Sequence, residues 1–231
     1  MTWQELRPVP LPERNLERLR RLAPFWIDRN WKVRLHSVEN VPTFGPVILA
    51  ANHIGWLDGP LLIFKTPRPA HALAKRELYE GRMGRLLTAA AQIPVSRTGT
   101  DAGALRMAAE SVLAGQAVVV YPEGRRGSGD FKRLKGGVSW LALVTGAPVV
   151  PVSIFGTRPP GAGKDARPVK GAPIDVVFGT KLTTEAVEWP RSTELIEATT
   201  KRIGRHLRGA LADAQELTGR ELPGPLPKAA S

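Results

Sequence analysis

Short apolar runs at residues 46–51, 117–121, 148–154 and 174–178 do most to restrict what this chain can fold into. Each is brief and neighbours turn-forming residues, as expected of strands buried inside a sheet. Segments of helical character separate them. Residues 58–64 suit a helix opened by an acidic residue, 82–91 read as helical, and a helix over 138–145 follows a loop at 124–137 rich in glycine and cations. Asp101 is placed to cap the helix carrying Ala104, Leu105, Ala108, Val112 and Leu113, which Gly115 would close. Shorter strands are expected at 32–38, 70–74 and 93–95. Ile196, Ile203, Leu207, Ala210, Ala214 and Leu217 line one face of a long last helix ended by Gly219. Strands alternating with helices predict an α/β fold: a single domain with a central mixed, largely parallel sheet flanked by helices.

Ahead of that domain, Leu16, Leu19, Leu22, Ala23 and Trp26 recur at helical spacing beside Arg14, Arg18, Arg20 and Arg21. This predicts an amphipathic helix, interrupted or bent near Pro24. With Phe25, Trp26 and Trp31 among the arginines, residues 1–31 suit a membrane interface, greasy below and anionic above. A cover for the core is the equally weighted and compatible use. The main domain is expected over 32–218, with 156–173 as a surface excursion and 219–231 as a flexible tail.

The charge balance names a class of partner. Lys plus Arg number 33 against 21 Asp plus Glu, a formal charge of +12, which attracts anionic lipid, phosphate compounds, coenzyme A and nucleic acid. Nucleic acid is disfavoured because the cations are spread along the chain and aromatics make up 6% of residues without a stacking motif. The absence of cysteine excludes disulfides, thiolate metal sites and a cysteine nucleophile. The opening residues, with Pro8, Pro10 and Pro12, do not resemble a secretory signal. No apolar run approaches the ~20 residues that span a bilayer. Lipid chemistry would therefore be done from the membrane surface, as a peripheral or monotopic protein on the cytoplasmic face.

Candidate chemistry sits where strands end. Residues 52–58, Asn52-His53-Ile54-Gly55-Trp56-Leu57-Asp58, join a buried strand to a helix, the position at which open α/β sheets place ligands. Asp58 across such a turn would fix the imidazole tautomer of His53 and stabilise its imidazolium while His53 takes a proton from an attacking alcohol. The bland alternative is a capping Asp58 beside a structurally bonded His53. A second strand mouth carries Tyr121-Pro122-Glu123-Gly124-Arg125-Arg126-Gly127, whose guanidinium forks match phosphate oxygens. A third carries Ile93-Pro94-Val95-Ser96-Arg97, and Lys75, Lys132, Lys135 and Gly136 add further candidates. Each of these cations, taken singly, is more often a solvated surface charge. No Gly-x-Ser-x-Gly elbow suggests a covalent serine route.

Together these blocks resemble the family of 1-acyl-glycerol-3-phosphate acyltransferases and related glycerolipid acyltransferases. The stations, in that family's order, are His53 and Asp58 in a His-x4-Asp block, Ile93 to Arg97, Tyr121 to Arg126, and Val150-Pro151-Val152. Lys75-Arg76-Glu77-Leu78 adds a fifth likeness, and the matched region runs from about Val47 to Thr157. The resemblance implies that His53 is the general base and Asp58 its partner. It implies that Arg97, Glu123, Gly124 and Arg126 bind the acceptor and that Pro151 and Val152 shape the acyl side; the residues themselves add Lys75, Arg125 and Lys135 as candidate substrate-binding cations. Arg125 stands where the family usually has threonine, which leaves the acceptor headgroup less fixed than the reaction. The implied reaction moves an acyl group from acyl-CoA or an acyl carrier protein thioester to lysophosphatidic acid, giving phosphatidic acid, with no cofactor or metal. The implied partners are an anionic membrane surface, a lysophospholipid acceptor and a thioester donor. Glycerol 3-phosphate or a glycolipid as acceptor, and a non-catalytic anionic-lipid-binding protein, are the alternatives.

Overall fold

The computed structural model describes residues 6–96 and 98–227. Seven strands, β1 (Lys32–His36), β2 (Val47–Ala51), β3 (Ala70–Lys75), β4 (Ile93–Val95), β5 (Ala117–Val120), β6 (Val149–Phe155) and β7 (Pro173–Phe178), form one sheet in the order β1-β7-β6-β2-β5-β3-β4. Every adjacent pair is parallel except β6 with β7. That exception has a chain-level cause. Residues 156–172 hold no helix or strand, so β7 returns beside β6 without the crossover that a parallel neighbour needs. Six helices cover the sheet: α1 (Arg14–Asn30), α2 (Asp58–Phe64), α3 (Gly81–Ala89), α4 (Ala102–Leu113), α5 (Gly137–Thr145) and α6 (Thr193–Thr218).

The continuous apolar runs arise because both faces of the sheet are covered. Along β2, Val47, Leu49 and Ala51 point into one core with Leu16 and Ile27 of α1 and Leu61 and Leu62 of α2. Ile48 and Ala50 point into the other, with Ala108, Leu141 and Leu207 of α4, α5 and α6. The α1/α2 layer and the α4/α5/α6 layer therefore lie on opposite sides of the sheet. Asp101 caps α4 by accepting the Ala104 N–H at 3.0 Å, as its position predicts. Gly219 closes α6 in the left-handed region at φ 63°.

Three expectations change. The first helix runs unbroken through Pro24. Leu16 and Ile27 anchor its two halves in one core, and the Arg20 guanidinium donates to the Ile63 carbonyl at 2.9 Å, so packing overrides the ~3 kcal/mol interior penalty of proline. Strand β1 stops at His36, because Ser37 takes a left-handed φ of 54° and starts a 3-10 turn, Val38–Asn40. The expected flexible tail is docked over 219–227: Pro223 is buried, Arg220 Nε donates to Asp175 Oδ2 at 2.9 Å, and the Gly224 carbonyl accepts from Arg158 at 2.6 Å.

Residues 1–31 are likewise no separate module across the described part. The helix α1 packs on the sheet, and Leu6 and Leu11 reach the second core. Its outer face leaves Leu22, Phe25 and Trp26 at 73%, 76% and 51% exposure, too much apolar surface for a helix whose only task is to cover the core. Among the described residues no helix is long and apolar enough to cross a membrane. The two faces of α1 should separate in urea unfolding. Leu16→Ala should cost roughly 2–5 kcal/mol, the range for emptying a buried leucine, whereas Phe25→Ala should stay within about 0.5 kcal/mol of the parent.

Candidate active site

Strands β6, β2 and β5 are adjacent and parallel, so their carboxyl ends meet at one edge of the sheet. The turn after β2 is fixed first. The Asn52 amide bridges to β6, accepting the Ile154 N–H at 2.7 Å and donating to the Ile154 carbonyl at 3.1 Å. The chain then turns through His53 to Leu57, and α2 begins at Asp58.

Asp58 is fully buried and organises the turn. Its Oδ2 accepts the backbone N–H of Ile54 at 2.7 Å and of Gly55 at 2.9 Å, and lies 2.8 Å from His53 Nδ1. Its Oδ1 accepts the hydroxyl of Thr157, just beyond β6. A carboxylate that only accepts requires the proton of neutral His53 on Nδ1, which leaves the lone pair on Nε2. Gly55 is required here, since a Cβ would sit 2.5 Å from the Thr157 carbonyl oxygen.

Two residues after β5 hold His53 from other directions. The Tyr121 ring stacks on the imidazole, with centroids 4.1 Å apart and planes 25° apart. Its hydroxyl is buried without a hydrogen-bond partner. Burial, reinforced by the Asp58 charge, pushes its pKa well above the usual value, so Tyr121 serves as a neutral platform. Glu123 lies beneath the turn and accepts the His53 N–H at 3.1 Å and the Phe131 N–H at 3.3 Å. Burial raises its pKa to about 7, against the pull of those two N–H groups.

His53 opens onto a cleft of about 530 Å³. Its lining includes the cations Lys75, Lys135 and Arg191, the carboxylate Asp101, and the apolar side chains of Leu105, Val138, Trp140, Leu141 and Ile196. Gly124, at φ 69°, lets Lys135 lie across the loop, since a Cβ there would fall 2.7 Å from Lys135 Cε. Lys75 pairs with Glu77 at 3.1 Å and still lines the cleft.

Several expected site residues lie elsewhere. Glu123 supports the turn and is not part of the cleft wall, because the backbone amides of His53 and Phe131 claim its oxygens. Arg125 is exposed and off the wall. Arg126 is turned to the 156–172 connection, donating to the Lys164 carbonyl at 2.9 Å and to Asp165 at 3.0 Å. Pro151 and Val152 are buried within β6, flanked by β2 and β7, and do not reach the cleft. Arg97 lies outside the described residues.

Other functional residues escaped sequence reasoning. Thr157 and Arg158 begin what reads as a surface excursion, yet both are buried. Arg158 donates to four carbonyls, those of Ile54 at 2.9 Å, Gly127 at 3.0 Å, Ala162 at 2.6 Å and Gly224 at 2.6 Å. It thereby ties the catalytic turn to three other segments. Burial lowers its pKa and the charge of Asp58 opposes that shift. Trp189 and Arg191 reach the cleft from the segment before α6, and the Arg191 Nε is buried without a partner. No local pattern in the sequence marks that segment.

The Acyltransferase family model matches residues 32–155, more than half of the chain, and the chain belongs to that family. The 1-acyl-sn-glycerol-3-phosphate acyltransferase of Bacillus subtilis is 26% identical over 178 residues, 76% of this chain and 86% of that protein. The protein of the same name from Borreliella burgdorferi is 31% identical over 131 residues, 55% of this chain and 52% of its own length. The fold is that of the 1-acyl-sn-glycerophosphate (LPA) acyltransferase PlsC of Thermotoga maritima, with a TM-score of 0.62 at 23% identity, over 89% of this chain and 80% of that one.

Glu123 yields a pH test. Its pKa of about 7 in the fold exceeds the ordinary carboxylate value, so the native state binds a proton that the unfolded chain has released. Its contribution to stability therefore falls as pH rises through the window between the ordinary carboxylate value and about 7. Thermal melts across that window should show this decline in the parent, and Glu123→Gln should lack that component.

Proposed function

We propose that the protein transfers a fatty acyl group from an acyl thioester to the free hydroxyl of 1-acyl-glycerol 3-phosphate, giving phosphatidic acid. The observation that carries this reading is His53, bonded to a buried Asp58, opening onto one cleft lined by both cations and apolar side chains. The names of the Bacillus and Borreliella relatives support the acceptor assignment.

In this mechanism His53 Nε2 takes the hydroxyl proton as the oxygen attacks the thioester carbonyl. Asp58, held by two N–H groups and the Thr157 hydroxyl, stabilises the resulting imidazolium. The tetrahedral intermediate collapses, the carbon–sulfur bond breaks, and the thiolate takes the proton back from His53. Lys75, Lys135 and Arg191 hold the acceptor phosphate, while the wall around Val138 and Leu141 takes an acyl chain. Arg125 is exposed and does not line the cleft, so the departure from the family's threonine does not by itself redirect the acceptor. The exposed Leu22, Phe25 and Trp26 of α1, beside Arg18, Arg21 and Arg29, would dip into the cytoplasmic face of an anionic membrane.

Mass spectrometry of products formed from mixed lysolipids and acyl thioesters should find phosphatidic acid. His53→Ala should lower its formation by roughly 10²–10⁴-fold, the usual contribution of a general base. Parent-level turnover in the folded variant would remove His53 from the mechanism. Co-sedimentation with anionic vesicles should weaken in a Phe25→Ser, Trp26→Ser variant, and unchanged binding would reject α1 as the membrane contact.

A further inference from the structure

A second recess, of about 400 Å³, lies between α6 and the loop leading into α5. Its charged lining is Lys132, Lys201, Arg205 and Arg208, without a carboxylate. Lys132 lies 3.3 Å from Asp130. Lys201, Arg205 and Arg208 follow one another at the three- and four-residue spacings that bring side chains together on a helix, where like charges repel. Such a cluster weakens the helix unless an anion compensates it. The floor is kept open by Gly204, where a Cβ would meet Leu134 Cδ1 at 3.0 Å and Arg208 Nη1 at 3.2 Å. Arg208 is held in place by donating to the Phe131 carbonyl at 3.2 Å.

The recess and the cleft draw on the same two segments, α6 and the loop leading into α5. On α6, Ile196 lines the cleft while Lys201 and Gly204 line the recess, roughly 12 Å along the helix at 1.5 Å per residue. On the facing loop, Lys135 belongs to the cleft and Lys132 to the recess. The recess also lies on the α4/α5/α6 side of the sheet, opposite the exposed apolar face of α1. A membrane held by α1 leaves it open to solvent.

We propose that this recess binds the phosphorylated nucleotide end of a coenzyme A thioester, an assignment that rests on reading the cleft as an acyl-transfer site. The 3′-phosphate, with up to two negative charges, and the diphosphate, with one on each phosphate, together carry about four and meet four cations. The flexible pantetheine arm follows α6 from the recess to the thioester at His53. A recess of this size fits phosphates better than the flat face of an acidic carrier protein.

The test is a calorimetric titration of the full chain with coenzyme A and with pantetheine, which lacks the phosphates. Lys201→Glu, Arg205→Glu and the milder Lys201→Gln, Arg205→Gln are the variants, both altering exposed side chains on α6. Coenzyme A should bind the parent at least about tenfold more tightly than pantetheine does, and the charge-reversed variant should lose about that factor. Pantetheine binding should not change. In turnover assays the KM for acyl-CoA should rise with kcat within about twofold, and the KM for an acyl-pantetheine thioester should stay constant. Equal coenzyme A affinity in parent and variants overturns the assignment. So does a defect confined to anionic vesicles or to an acyl carrier protein. Coenzyme A binding needs no turnover, so the two readings fail separately. A parent that binds coenzyme A in the recess but acylates no lysolipid defeats the proposed function alone, and full transfer with unaltered coenzyme A binding in the variants defeats this inference alone.

Discussion

The buried carboxylate of Asp58 is the constraint around which the rest of the site is arranged. An isolated charge taken out of water costs several kcal/mol, and it persists only where donors replace its hydration. Asp58 receives two backbone N–H groups of its own turn, the Thr157 hydroxyl and the His53 ring, and it begins α2, where the helix dipole favours an anion. Meeting those demands dictates the path of residues 53–57. It also makes Gly55 obligatory and requires the end of β6 to come alongside. The imidazole orientation follows from satisfying this one charge.

Three parallel strands make that satisfaction possible. The turn after β2, Tyr121 and Glu123 after β5, and Thr157 and Arg158 after β6 meet because the strands share direction and adjacency. The guanidinium of Arg158 gathers four carbonyls, one of them from beyond α6. The residues after α6 are in this sense part of the site's scaffold. The fold also separates two surfaces: α1 turns apolar side chains outward on one side of the sheet, while the cations of α6 face away on the other.

Much of this was legible before any coordinates. The α/β class, the strands around β2, β5, β6 and β7, the Asp101 cap and the Gly219 stop rest on short-range rules of period, capping and turn chemistry. The His53 and Asp58 pairing was also readable, since a strand-turn-helix junction confines residues five apart to one small space. Pro24 was misjudged because its cost is local, while the anchoring of Leu16 and Ile27 that outweighs it is tertiary. The arginines after Glu123 read as one phosphate grip, but a loop's residue types do not tell which way each side chain turns. Arg126 found Asp165 and Arg125 found solvent, and the cations lining the cleft include Lys75, Lys135 and Arg191.

By itself the sequence determined the elements, their rough order in a parallel sheet and the pairing of His53 with Asp58, because each depends on residues close together along the chain. Only the tertiary structure decided which cations face the cleft, that Glu123 supports the turn from below, and that Thr157, Arg158 and Gly224 hold it in place. Those outcomes depend on contacts between segments far apart in sequence, where burial and the need to pair every buried polar group select one side-chain direction among many.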